Sequence, residues 1–332
     1  MKISELQINQ ACEITLVVKS AQARETRAKK PYLALDLFDG TDTIKCMYWD
    51  WTSGNIPPNN TILDVIGQVT EYQGVKQLTI KSIKTNTTRH LNEFMPSSGN
   101  DIAEIYKEAY SMASDVFNDT LRNIALGVLE QLKQEWLTVP GAVNVHHNYT
   151  GGTLVHSVSV AKIAGQIAEC IPEADIDLCI IGGLLHDIGK LFTYKMDGIT
   201  IDMTSEGMLY EHIFIGAEFV GNFAESIVDA DDPENYAIIR LLRHIILSHH
   251  GCREYGSPIT PACIEAYIVS KADGIDTVAE QIRVASKDNN DRIWTDKIYY
   301  LDNKPHINPK YVKHTFRTTM NGADFSEEKS PI

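Results

Sequence analysis

The sequence predicts a multidomain β + all-α protein, with a small closed β-barrel at the N-terminus and an all-helical domain behind it. Three observations predict this. Over the first ninety residues apolar and polar side chains alternate; beyond a Pro/Ser/Gly cluster near residue 95 the period lengthens to about 3.6 residues; and histidines gather at the ends of the helical segments. The length, 332 residues, suits two domains, a typical one running on the order of 100–200 residues.

The alternating runs are "CEITLVVKSAQAR", "YLALDLFDGTDTIKCMYWD" and "TILDVIGQVTEYQGVKQLTIKSI". Asp39-Gly40 after Phe38 splits the middle run into two strands and marks a hairpin. Five strands in about 90 residues suit an OB-like barrel over residues 1–94, although a sandwich or an SH3-like barrel satisfies the same pattern. "MPSSGND", residues 95–101, reads as the linker. Ile102, Ile105, Tyr106, Ala109 and Met112 then mark one face of a helix. Further helices are expected at about 115–137, 152–171, 177–190, 207–229, 233–250 and 260–281, with Asp232-Pro233 opening one of them and Gly251 closing it. The helical domain is set at residues 102–285. A polar tail, 286–332, is expected to lie on the surface with short elements only.

Composition narrows the function classes. A net charge of −14 excludes indiscriminate nucleic-acid binding over the whole surface, since phosphate contacts need Lys and Arg. The acid is concentrated beyond residue 95, whereas the barrel segment is close to neutral and could approach a polyanion. No apolar run approaches the roughly 20 residues of a membrane span. Six cysteines without CxxC spacing and a start without an apolar leader point to a reducing, cytoplasmic setting and no membrane partner.

The chemistry-bearing residues sit near helix ends. "GGLLHDIGK" ends a buried-looking run on His186, Asp187 and Lys190; His156 opens the preceding helix; His212 lies on the next; "SHHG" supplies His249 and His250; and "SKADGID" supplies Asp273. Singly, His156 reads as a core histidine and Asp273 as a cap. Together they read as imidazole and carboxylate ligands for Mn, Fe, Zn, Ni or Mg. His249 and His250 differ by about 100° around a helix, so both reach one cleft only if the helix end is irregular. Lys190, three residues after Asp187, would steady a non-bridging phosphate oxygen, with Gly189 leaving room for that approach. His244 is set aside as a surface or supporting residue.

In order and type, His156, His186-Asp187 and Asp273 resemble the signature of the HD-domain metal-dependent phosphohydrolases. The likeness is closest to the subgroup with an N-terminal OB-fold, the YhaM-type 3′-to-5′ exoribonucleases. It is carried also by "HHNYTGGTLVHSVSVA", "LLRHIILSHHG", "EYGSPITP" and "WTDKIYYLDNKP". The resemblance implies one ion on His156, His186, Asp187 and Asp273, and a second on His212, His249 and His250 with Asp187 bridging. It implies Mn²⁺ first, with Fe, Co, Ni or Mg accepted by the same ligands. His147, beside His146, stands where the family has paired histidines, in a substrate-contacting or structural role.

In the barrel, Tyr32 and Trp49 accompany Arg24, Arg27, Lys29 and Lys30, aromatic faces beside cations as single-stranded nucleic acid requires. Phe38, Tyr48, Trp51 and Tyr72 belong to the same group, although aromatics in a small barrel are usually core. "RETRAKKPY" reads as a mobile basic loop between the first two strands. The expectation is thus a metal-dependent phosphodiesterase that trims single-stranded RNA, or DNA, from the 3′ end and releases nucleoside 5′-monophosphates. Asp187 and Lys190 are its catalytic residues. A hydrolase of a small nucleotide, such as a cyclic dinucleotide or a dNTP, is the alternative, and a non-catalytic nucleic-acid-binding protein the second. A homo-oligomer guarding the cleft is compatible with either enzyme reading.

Overall fold

The structure is a computed structural model and describes residues 1–52, 54–95, 101–142, 149–286 and 292–313. Most of the expected linker and residues 314–332 of the tail lie outside the described residues. Strands β1 (Ala11–Glu25), β2 (Pro31–Phe38), β3 (Thr43–Tyr48), β4 (Ile62–Tyr72) and β5 (Val75–Thr85) close into a barrel in the order β1-β2-β3-β5-β4. β3 and β5 pair parallel, every other pair antiparallel. That order is the OB arrangement, and it removes the sandwich and SH3-like alternatives. Alternation fills the barrel with Leu33, Leu35, Leu37, Ile44, Cys46, Val65 and Leu78. Between them Ala34, Asp36, Lys45 and Met47 line an outer groove with Ser20, Gln22 and Arg24.

The basic segment departs from its expected form. Arg24 lies inside β1 opposite Tyr32, and Glu25 pairs with Pro31. The five residues between the strands are closed by Thr26 N–H to Lys30 O and Lys29 N–H to Thr26 O. Strand pairing continues almost to the tip, so the cations sit on a hydrogen-bonded hairpin end rather than an open loop.

The helical part comprises α1 (Ile102–Ser114), α2 (Asp119–Gln131), α3 (Lys133–Thr138), α4 (Gly152–Glu169), α5 (Ile176–Leu185) and α6 (Lys190–Thr193). A hairpin of β6 (Tyr194–Asp197) and β7 (Thr200–Met203) follows, then α7 (Ser205–Ile227), α8 (Pro233–Ser248) and α9 (Ile264–Ala285). Asp101, Asn118, Asp175, Thr204 and Asp232 cap five of these helices by accepting from N–H groups of the first turn. α5 is apolar on every side and lies inside the helical core with the buried residues of α4, α8 and α9 around it. The expected helix at 115–137 divides at Leu132, and the one at 177–190 stops at Leu185.

Among the described residues of the second domain, this hairpin is the exception to an all-helical arrangement. Asp197-Gly198 carried its signal: Gly198 takes φ +60° in a two-residue connection, as such turns require. Ile199 at its tip joins Val17, Phe38, Ile62 and Phe94 in a separate apolar cluster, so the hairpin plugs into the barrel's flank. Asn60 clamps the tip: its Nδ2 donates to Asp197 O at 3.1 Å, and its Oδ1 accepts from Ile199 N at 3.0 Å. Asn60 has φ 67°, which glycine tolerates, so Asn60→Gly removes the clamp without adding strain. It is expected to cost about 1–2 kcal/mol, read as a lower melting temperature of the full chain.

Among the described residues no helix is long and apolar enough to cross a membrane. All six cysteines are free. In the described part of the tail, isolated bridges pair Trp294 with Ile307 and Ile298 with Lys304, and residues 309–313 are helical.

Candidate metal centre

Three helix ends and two helix faces meet at Asp187. His156 comes from the first turns of α4; His186 and Asp187 follow the last residue of α5; His212 lies on α7; His249 and His250 follow α8; Asp273 lies on α9. His186, Asp187, His249 and His156 are almost fully buried.

Asp187 has two distinct sides. Its Oδ2 lies 3.4 Å from His156 Nε2, 3.4 Å from His186 Nε2 and 2.6 Å from Lys190 Nζ. Its Oδ1 lies 3.4 Å from His212 Nε2 and 3.5 Å from His249 Nε2. His156 Nε2 is also 3.3 Å from Asp273 Oδ1 and 3.2 Å from His186 Nε2. His250 joins the second side, its ring centroid 4.3 Å from that of His249 and 5.3 Å from that of His212. The donor atoms group as His156, His186 and Asp187; as His186, His249 and Asp273; and as His212, His249 and His250.

The irregular helix end that the adjacent histidines need is present. α8 closes at Ser248, and Gly251 turns the chain with φ +80°, so His249 and His250 sit beyond the last regular turn. His244 is elsewhere: its Nε2 accepts from Ala262 N at 2.9 Å, tying α8 to the segment before α9.

Backbone carbonyls fix the tautomers. A carbonyl only accepts, so Nδ1 of His186 donates to Gly183 O at 2.7 Å, Nδ1 of His249 to Ile246 O at 2.7 Å, and Nδ1 of His250 to Tyr255 O at 2.6 Å. Each ring therefore presents its Nε2 lone pair to the centre. Burial pushes His212 well below the ordinary imidazole range and lowers His250 as well, which keeps both neutral and able to ligate. Burial opposes ionisation of Asp187, yet Lys190 and His186 outweigh it and hold the carboxyl well below the usual carboxylate range. Burial would lower His156, but Asp187, Asp273 and Asp276 raise it well above its ordinary value. The field at its Nε2 favours positive charge.

The donors fit a divalent cation by two criteria. Asp187 Oδ1, His212 Nε2 and His249 Nε2 are buried without a hydrogen-bond partner, an arrangement that costs about 1–3 kcal/mol per atom unless something satisfies it. Ligands bonded at about 2.1 Å lie about 3.0–3.4 Å apart around one ion, and the spacings of the donors about Asp187 and His156 lie in or just above that range, from 3.2 to 3.5 Å.

Gly189 has a different task from the one expected. A Cβ there would lie 1.8 Å from His212 O and 2.8 Å from Gly216 N, so the glycine admits the backbone of α7 rather than a phosphate. Lys190 is buried against Asp187. His147 lies outside the described residues. In the barrel, Tyr32 and Trp49 pair with ring centroids 4.6 Å apart, and Trp49 is exposed. Lys30 stands 3.8 Å from Asp50, both exposed. Phe38 is buried and Tyr48 and Trp51 pack against the barrel core, whereas Tyr72 is exposed.

Two residues escaped the sequence reading. Glu211 interrupts α7 at φ 60°, ψ 162°, a strained conformation for a residue with a side chain, immediately before His212. Asp276, one turn beyond Asp273, hydrogen-bonds His156. Its i+3 spacing from Asp273 was the available signal.

Residues 153–278 match the family model of the HD domain. Over 316 residues the chain is 28% identical to the 3′-5′ exoribonuclease YhaM of Listeria welshimeri, covering 93% of this chain and 99% of that protein. A domain of replication protein A from Methanococcus maripaludis matches 26% of this chain and 92% of its own, at 28% identity and a TM-score of 0.23. The second OB-fold domain of the same organism's replication protein A matches 27% and 97%, at 20% identity and a TM-score of 0.23. All seven histidine and aspartate donors lie inside the matched segment, so the chain carries an HD domain over residues 153–278, which supports a metal-dependent hydrolase.

Proposed function

We propose that this protein is a 3′-to-5′ exoribonuclease of single-stranded RNA, tolerant of single-stranded DNA, that holds two divalent ions, Mn²⁺ foremost, and releases nucleoside 5′-monophosphates. The observation that carries this reading is the two-sided Asp187, with one donor set on each carboxylate oxygen. The alignment with YhaM over nearly the whole chain supports the substrate and polarity.

His156, His186, Asp187 and Asp273 would hold one ion, and His212, His249, His250 and Asp187 the other. Ions so placed lower the pKa of bound water and neutralise charge on attacking and leaving oxygens of a phosphodiester. Lys190 keeps Asp187 ionised and fixed in place. Its spare N–H donors are available to a non-bridging phosphate oxygen. The carbonyl-anchored imidazoles are held in one orientation, so little reorganisation accompanies the reaction.

Arg24, Arg27, Lys29 and Lys30 would meet phosphates while the Tyr32–Trp49 pair stacks bases. The double change Tyr32→Ala/Trp49→Ala is expected to weaken RNA binding by about 10- to 100-fold, since a stacked base contributes about 1–3 kcal/mol. Hydrolysis of a small chromogenic phosphodiester should be unchanged. Point changes are the right tool, because deleting the barrel would strip the cover from Ile199.

The decisive test is a time course on 5′-labelled single-stranded RNA with Mn²⁺ or with EDTA. A Mn²⁺-dependent ladder that shortens from the 3′ end supports the proposal. Intact RNA alongside hydrolysis of a cyclic dinucleotide or a dNTP would refute it in favour of a nucleotide hydrolase.

A further inference from the structure

We propose that Asp276 is a positioning residue for the metal centre. Acting through His156, it makes the donor set of His156, His186, Asp187 and Asp273 the tight site and leaves the set of His212, His249 and His250 the weak, exchangeable one. The inference rests on the two-ion reading above.

Asp276 is buried on α9, three residues after Asp273. Its Oδ2 accepts from His156 Nδ1 at 2.7 Å, and Ser159 Oγ donates to its Oδ1. Both carboxylate oxygens are therefore engaged, one by the ring and one by the next turn of α4. This is the carboxylate–histidine–metal relay in which an outer anion fixes ring orientation and raises the basicity of the coordinating nitrogen.

On the other side, two of the three rings have neutral outer partners. Nδ1 of His249 and of His250 goes to a neutral backbone carbonyl. The first set carries Asp273 as a direct donor and Asp276 behind it; Lys190 offsets one of those charges and still leaves that set the more anionic. The second set has three imidazoles and the shared Asp187, with Asp273 grouped with His249 alone among its rings. Attraction for a divalent cation thus differs between the two sides of Asp187, and the carboxylate behind His156 is part of the difference.

The test is a Mn²⁺ titration of chelator-stripped full-length protein, with free Mn²⁺ followed by electron paramagnetic resonance. Wild type, Asp276→Asn and Asp276→Leu are compared after circular dichroism confirms equal folding. Wild type should show a tight and a weak class. Asp276→Leu should weaken the tight class by about 10- to 100-fold, the usual cost of losing such an outer partner, with the weak class unchanged. Asp276→Asn, whose carbonyl still accepts from Nδ1–H, should recover most of the affinity. Equal weakening of both classes, no change in Asp276→Leu, or no recovery in a folded Asp276→Asn overturns the assignment. A single bound ion in wild type contradicts the two-ion reading and the inequivalence with it; an unaltered affinity for that ion in Asp276→Leu would remove the positioning role too.

Discussion

Asp187→Asn should abolish phosphodiester hydrolysis, lowering kcat by about 10³-fold or more, the scale of removing a principal electrostatic group from a site. Asn keeps the shape of the side chain but has one oxygen, whereas Asp187 serves His156, His186 and Lys190 with Oδ2 and His212 and His249 with Oδ1. Its amide N–H₂ must face either the Lys190 ammonium or imidazole lone pairs. Metal content should fall with activity. The change also strands Lys190, which is only 8% exposed. Removing one member of a buried ion pair costs about 3–5 kcal/mol, so the variant should melt earlier than wild type. Adding Lys190→Met is expected to recover part of the melting temperature and none of the turnover. Full turnover by metal-replete Asp187→Asn would sink the assignment of Asp187.

Gly189→Ala should be nearly as damaging although the residue carries no chemistry. The added Cβ would meet His212 O at 1.8 Å and Gly216 N at 2.8 Å, both backbone atoms that cannot rotate away. Helix α7 must shift from α6, and overpacking of this kind costs about 1–3 kcal/mol or more. His212 moves with α7. A displacement near 1 Å can cost about 10²-fold in rate, so turnover should fall by that order and one bound ion should be lost. Gly274→Ala is the control: it lies beside Asp273, where a Cβ meets nothing within 4 Å, and should leave metal content and rate unchanged. Equal behaviour of the two variants would show that the Gly189 contact does not hold His212 in place.

Much of this was legible from residue order. The two halves of the chain differ in period, and most of the donors stand at or near helix ends where the periodic signal stops, so the barrel, the helices and the histidine–aspartate set could be named before any coordinates. What the sequence hid depended on contacts between distant segments. Gly189 looked like space for a substrate because nothing local shows that the His212 carbonyl arrives there. Asp276 went unnamed because its partner, His156, is 120 residues away. The hairpin's Asp197-Gly198 was visible, but four-residue strands between strongly helical runs yield no periodicity to notice. The basic segment of the barrel was misjudged for a related reason: its composition favours a loop, and strand pairing with Tyr32 and Pro31 overrides it.

The hairpin between α6 and α7 also bears on how freely the two halves could be exchanged. Its ends lead directly to Lys190 on one side and toward His212 on the other, and its tip is seated on the barrel by Ile199 and Asn60. A barrel transplanted from another chain would need an amide in place of Asn60 and an apolar socket for Ile199. The halves are therefore matched components, and the barrel is as much a part of the catalytic unit's frame as it is an attachment to it.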